Sequence, residues 1–232
     1  MEITAVEQRR PVRETPAQKL ARESAAFTRA VLRLAFLTII LTPVLLLAFL
    51  TADLPLRSFD WLVDEPALKP GLWLSIGGIA MALALPLVIL ITRRFGGDEA
   101  SRVVTASWGV AAVLTFAEVT YLGPTLEAAD LPSVRYVVAF VASAMLSQYL
   151  AIGVYDVTRG GGKWWRPPLF ALLFGYVVQT LIYFPAAYIG APAPWLAWAV
   201  SDFAVKCAIA FAFLAPYLVL MKPLRPRGGY GW

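Results

Sequence analysis

Residues 72–92 read LWLSIGGIAMALALPLVILIT, a run without a single charged side chain. A helix needs about 20 mostly apolar residues to cross roughly 30 Å of hydrocarbon, so this run is long enough to span a bilayer. Five more stretches meet the same length on either side of it: 30–50, 103–122, 135–155, 168–189 and 195–221. The composition agrees, with 59% hydrophobic and 15% charged residues and a mean hydropathy of +0.69 over 232 residues. That is more apolar surface than one soluble core could bury, and lipid has to be part of the solvent. The expected fold class is an all-α integral membrane protein with a domain of six transmembrane helices over 30–221. A tail over 1–29 precedes it and a tail over 222–232 follows it.

Charge placement predicts the orientation. Arg9, Arg10, Arg13, Lys19, Arg22, Arg29 and Arg33 precede or open the first span. Arg93, Arg94 and Arg102 lie between the second and third, Arg159, Lys163 and Arg166 between the fourth and fifth, and Lys222, Arg225 and Arg227 after the last. The alternate connections hold only Arg57, Lys69 and Arg135, while Asp53, Asp60, Asp64, Glu65, Glu127 and Asp130 fall on that same side. Lys and Arg collect on the cytoplasmic face, which predicts a multi-pass protein of the cytoplasmic (inner) membrane with both termini in the cytoplasm. The net charge of +5 therefore reports topology, and no nucleic-acid partner is expected.

Residue types also exclude chemistry. Histidine is absent and Cys207 is the one cysteine, which excludes histidine metal sites, His-based nucleophilic catalysis and an intrachain disulfide framework. No enzyme activity, metal or cofactor is expected. Gly160-Gly161-Gly162-Lys163 lacks the spacing of a phosphate-cradling loop and reads as a flexible connector. The polar stretch before residue 30 is too long for a signal peptide, and it is read as a solvated tail. Thr15-Pro16 is a helix start within it, and Leu20, Ala21 and Phe27 could rest on a membrane surface beside Lys19, Arg22 and Arg29.

An ionisable group at mid-bilayer costs about 2.5–3.5 kcal/mol or more, so each one calls for a partner or a task. Glu118, Asp202 and Lys206 are the three inside spans. Glu118 sits near a span end, where it can reach the interface. Asp202 and Lys206 are one helical turn apart, placed to pair, either as a structural ion pair or as part of a ligand or coupling site. Gln148, Tyr176, Gln179 and Tyr183 are uncharged polar groups at membrane depth, and the last three share one helical face. Amides can match the hydrogen-bonding edge of a planar heterocycle while tyrosines stack on it, and the same groups can serve as interhelical glue. Ala139, Ser143, Ser147 and Ala151 recur every four residues on the fourth span, a stripe that reads as close helix packing. Pro43, Pro86, Pro185 and Pro216 lie inside four spans, where proline removes a backbone donor and tends to kink the helix.

From Arg135 onward the chain resembles the vitamin-uptake-transporter-like family, known for importing queuosine precursors. Carrying the resemblance are Arg135, Ser147-Gln148-Tyr149-Leu150 with Tyr155, Trp164-Trp165, Leu173-Phe174-Gly175 with Thr180, and Ser201-Asp202 with Lys206, Pro216 and Tyr217. Before that it thins to Pro86, Thr92, Phe95-Gly96, Ala100 and Arg102. Ala151, Tyr176 and Gln179 stand where the family tends to carry acidic or amide groups, and Thr92 runs directly into Arg93-Arg94 where the family has acids. The resemblance implies a six-helix carrier that binds a small planar heterocycle of the 7-deazaguanine type. Gln148, Tyr176, Gln179, Tyr183, Asp202 and Lys206 are its expected binding residues. Two other readings remain at this point. The neutral positions suit a subunit of a larger membrane complex, with partner proteins on the N- and C-terminal tails, and the Asp202-to-Lys206 spacing matches that on the last helix of retinal-binding photoreceptors.

Overall fold

The computed structural model describes residues 15–125, 133–160 and 162–226. Among them are six long helices: α1 (Pro16–Leu50), α2 (Ile76–Phe95), α3 (Gly97–Leu122), α4 (Val134–Thr158), α5 (Arg166–Tyr188) and α6 (Trp195–Leu220). No β-strand occurs among these residues, and all six helices are long and apolar enough to cross a membrane. The chain is an all-helical, multi-pass membrane protein. Arg9, Arg10, Arg13, Glu127, Asp130 and Arg227, on which part of the charge reading rests, lie outside the described residues, as do Gly161 of the expected connector and 1–14 and 227–232 of the two tails.

Local chemistry explains the helix ends. Thr15 Oγ1 accepts from the Gln18 N–H at 3.3 Å and Gln18 Oε1 accepts from the Thr15 N–H at 3.0 Å, a reciprocal capping box ahead of Pro16. Once started, α1 runs on without a break at residue 30, because nothing from Pro16 to Leu50 stops it except Pro43, which it absorbs. The stretch read as a solvated tail is therefore helical from Pro16 onward, and its residues 15–29 are exposed. Ser75 caps α2 by accepting from the Gly78 N–H at 2.9 Å, and Ser133 caps α4 by accepting from the Tyr136 N–H at 3.3 Å. Gly96 ends α2 and opens α3 with φ of 89°, a left-handed backbone that favours glycine.

α2 is the central helix. It packs against each of the other five, and it carries the largest share of buried residues. Gly77 lets its first turn lie against the end of α1, since a Cβ there would collide with Ala48 O and with the Ala52 backbone. The most extensive interface joins α4 to α5. The small-residue stripe of Ala139, Ser143, Ser147 and Ala151 is fully buried, and Gly175 of α5 seats on it. A Cβ at Gly175 would meet Leu85 Cδ2 at 2.7 Å, Ser147 O at 3.2 Å and Ala151 Cβ at 3.3 Å.

The bundle has two unlike ends. At the basic end, Arg33 pairs with Glu99 at 2.8 Å, Arg102 with Glu99 at 3.8 Å and Arg159 with Asp156 at 3.2 Å. The acidic end carries Asp53, Asp60, Asp64 and Glu65 on the segment between α1 and α2. There Asp60 Oδ1 accepts from the Gly71 N–H at 2.6 Å, folding that segment over the helix ends. Arg135 donates to Ala186 O at 2.6 Å and to Ile189 O at 2.8 Å, so it satisfies free carbonyls at the C-terminus of α5.

Candidate functional site

Between α2, α4, α5 and α6 lies a cavity of about 30 Å³ lined by Ser75, Gly78, Ser143, Gln179, Asp202 and Lys206, with Tyr136, Phe140, Tyr183, Trp73 and Met81 completing the wall. Asp202 and Lys206 reach it because they lie on the inward stripe of α6, which also buries Trp198, Ala210, Phe213 and Tyr217. Lys206 Nζ is 2.7 Å from Asp202 Oδ2, with the two side chains 7% and 11% exposed. Thr180 Oγ1 donates to the same carboxylate oxygen at 3.2 Å. Opposite charges in direct contact neutralise each other where water is scarce, and the remaining Lys206 protons have no other partner among the described residues.

Gln179 is the second feature of the cavity. It is 6% exposed and lines the wall, yet its side-chain amide has no hydrogen-bond partner among the described residues. A buried amide normally finds one, so an unmatched donor and acceptor facing a cavity are available to a ligand or to water. Volume sets a limit here, since 30 Å³ holds about two waters and no planar heterocycle. The cavity is occluded as it stands.

Tyr136, Tyr183 and Trp73 form its roof toward the acidic end. The same three residues floor an open vestibule of about 370 Å³, which Asp53, Gly71, Ser75, Ser133 and Tyr188 also line. Tyr136 and Tyr183 meet edge to face, with centroids 5.9 Å apart, and Tyr183 also packs on Phe140, Phe184 and Tyr188. An aromatic partition thus separates the vestibule from the polar cavity. At the basic end the bundle is tied shut. Arg93 of α2 donates to Tyr217 OH at 3.0 Å and to Met221 O at 3.1 Å, and the Tyr217 hydroxyl shares a 2.8 Å bond with Tyr155 OH of α4. The Arg93 guanidinium also lies 5.4 Å from the Tyr217 ring centroid, a cation–π contact. Arg94 adds a bond to Arg225 O.

The six expected binding residues divide. Gln179, Tyr183, Asp202 and Lys206 come together around the cavity. Gln148 does not line it: the side chain turns toward α3, where Gln148 Oε1 accepts from Trp108 Nε1 at 2.9 Å. Tyr176 lies one turn nearer the basic end and donates to Ala82 O at 2.7 Å, fastening α5 to α2. Each of these bonds joins two helices. Glu118 is half-buried on α3 and away from the cavity. Thr180, Trp73, Tyr136 and the Arg93–Tyr217–Tyr155 cluster were not expected at the site. Thr180 carried a partial signal, because it shares the polar face of α5 with Tyr176 and Tyr183, but its bond to Asp202 runs to another helix and was not legible. Trp73 and Tyr136 had no signal beyond being aromatic near a span end, where aromatics are common.

Six spans around an occluded polar cavity, with an open vestibule above it at one end and a polar tie at the other, define a membrane carrier by form. The chain belongs to the family described as "Putative vitamin uptake transporter", whose pattern it matches over residues 75–221. It is 27% identical to the "Queuosine precursor transporter" of Escherichia coli (strain K12) over 187 residues, covering 75% of this chain and 85% of that one. It is 25% identical over 150 residues to the "Probable queuosine precursor transporter" of Haemophilus influenzae, covering 58% of this chain and 64% of that one. No solved structure matches significantly. These likenesses favour the carrier over a subunit without transport. They likewise favour the carrier over the photoreceptor reading.

Proposed function

We propose that this protein is an inner-membrane carrier for a queuosine precursor of the 7-deazaguanine type, with both termini in the cytoplasm. The basic end would then face the cytoplasm and the vestibule the opposite side, in keeping with the distribution of Lys and Arg. Gln179 carries the reading: a buried amide with free donor and acceptor beside an ion pair is what the edge of a planar base requires. Substrate arrives in the vestibule, displaces the Tyr136–Tyr183 partition and places its ring edge against Gln179, while Tyr183 stacks on its face. Asp202 and Lys206 polarise the pocket, and Thr180 fixes the carboxylate. Release toward the basic end requires the Arg93–Tyr217–Tyr155 cluster to part, which makes the structure one state of an alternating cycle.

Vesicles carrying the protein should accumulate a radiolabelled 7-deazaguanine base, and Asp202→Asn should abolish accumulation. Vesicles that take up none of the base would contradict the proposed substrate, and full activity of Asp202→Asn would contradict the proposed site.

A further inference from the structure

On the outside of the bundle, α3 and α4 separate over α1. They are joined toward the basic end, where Thr105 Oγ1 and Tyr149 OH share a 2.7 Å hydrogen bond and Trp108 donates to Gln148. Beyond those bonds the small residues Gly109 and Ala112 of α3 face Val141 and Met145 of α4, and Leu45 and Phe49 of α1 form the floor. The result is an open apolar groove of about 600 Å³. Its lining follows α3 from Thr105 to Val119, about 21 Å at 1.5 Å per residue. That exceeds half of a hydrocarbon core of roughly 30 Å, so the groove runs from near the bilayer centre to the surface at the acidic end.

At that end stands Glu118, half-buried and one turn before the end of α3. It shares a helical face with Thr115 and Ala111, three and seven residues back, and both of these line the groove. Its carboxylate makes no ion pair or hydrogen bond among the described residues. No helix of the chain offers it a free cation: the one cation on a helix at the acidic end is Arg135, which donates to the carbonyls of Ala186 and Ile189. A carboxylate at headgroup level beside a slot for a hydrocarbon chain is therefore matched from outside the chain. We infer that the groove between α3 and α4 is a binding site for an aminophospholipid, with one acyl chain lying on Gly109 and Ala112 and the headgroup ammonium paired with Glu118. Phosphatidylethanolamine has this chemistry. An anionic headgroup would set its charge against that of Glu118, and a second copy of this chain would bring no free helix cation to this depth. The site lies outside the Gln179 cavity and does not depend on what the protein carries.

Native mass spectrometry of the purified, delipidated full chain tests this, with phosphatidylethanolamine and phosphatidylglycerol of identical acyl chains as probes. The native protein should bind phosphatidylethanolamine about fivefold more tightly than Glu118→Gln does, and Glu118→Asp should keep most of that difference. Phosphatidylglycerol should show no such dependence on Glu118. Gly109→Leu should remove the tight phosphatidylethanolamine site without lowering the melting temperature. A Cβ at Gly109 meets nothing within 4 Å, so the new side chain has room to take the place of the acyl chain. Equal phosphatidylethanolamine affinity in the native protein and Glu118→Gln would overturn the inference, and this comparison decides alone if Gly109→Leu folds poorly. Unchanged binding in a folded Gly109→Leu would place the lipid elsewhere and overturn it too. So would a two-chain mass that Gly109→Leu reduces to one chain, which would make a second copy the occupant.

Discussion

Two glutamines of similar appearance in the sequence differ in what surrounds them. Gln148 accepts from Trp108 Nε1 at 2.9 Å and is 1% exposed, while Gln179 is 6% exposed, without a partner, and faces the cavity. Gln148→Leu should therefore cost about 1–2 kcal/mol of stability by leaving the indole N–H unmatched, seen as a lower melting temperature in detergent. Gln179→Leu should melt no lower than the native protein, since no bond is lost. The Asp202–Lys206 pair makes a second test. Asp202→Asn strands a buried ammonium and should lose about 3 kcal/mol, whereas adding Lys206→Met should recover most of it, because the stranded charge is gone. Single variants as stable as the native chain would mean that the two side chains do not depend on each other. The pairing of Asp202 with Lys206 was legible from their spacing on one helix. The partners of Gln148 and Tyr176 were not, because their bonds run to Trp108 and Ala82 O on other helices, and a single sequence does not say which helices are neighbours.

At the scale of elements, hydrophobic run length located the six long helices, because lipid fixes how many apolar residues a helix must present. The extent of α1 was harder to read: residues 16–29 are polar, and their helix depends on the Thr15–Gln18 capping box and on continuity with the span behind it. The stripe of small residues on α4 was legible as packing, and Gly175 is what it packs against. Gly175→Leu should cost at least about 1–3 kcal/mol and lower the yield of folded protein, since the new side chain meets Leu85, Ser147 and Ala151 at once. A variant that expresses and melts like the native chain would show that α4 and α5 are not held this closely.

For the whole molecule, the two ends carry different closures, an aromatic partition under the vestibule and a polar tie of α2, α4 and α6 at the basic end. Cutting the tie should open the basic end. In a Cys207→Ser background, a thiol placed by Ala210→Cys, at a fully buried position on α6, should resist a water-soluble maleimide. It should become reactive when Arg93→Met or Tyr217→Phe is added, and unchanged protection would show that the cluster is not a gate. The central claim is that the cavity around Gln179, Asp202 and Lys206 is where substrate passes, and that Gln148 lies outside it. The most direct measurement compares saturable uptake of a labelled 7-deazaguanine base by proteoliposomes holding native protein, Gln179→Leu or Gln148→Leu at equal amounts of folded carrier. The expected result is uptake by the native protein, a loss of about tenfold in Gln179→Leu, on the order of one or two neutral hydrogen bonds, and near-native uptake in Gln148→Leu. Normal uptake by Gln179→Leu with none by Gln148→Leu would contradict it.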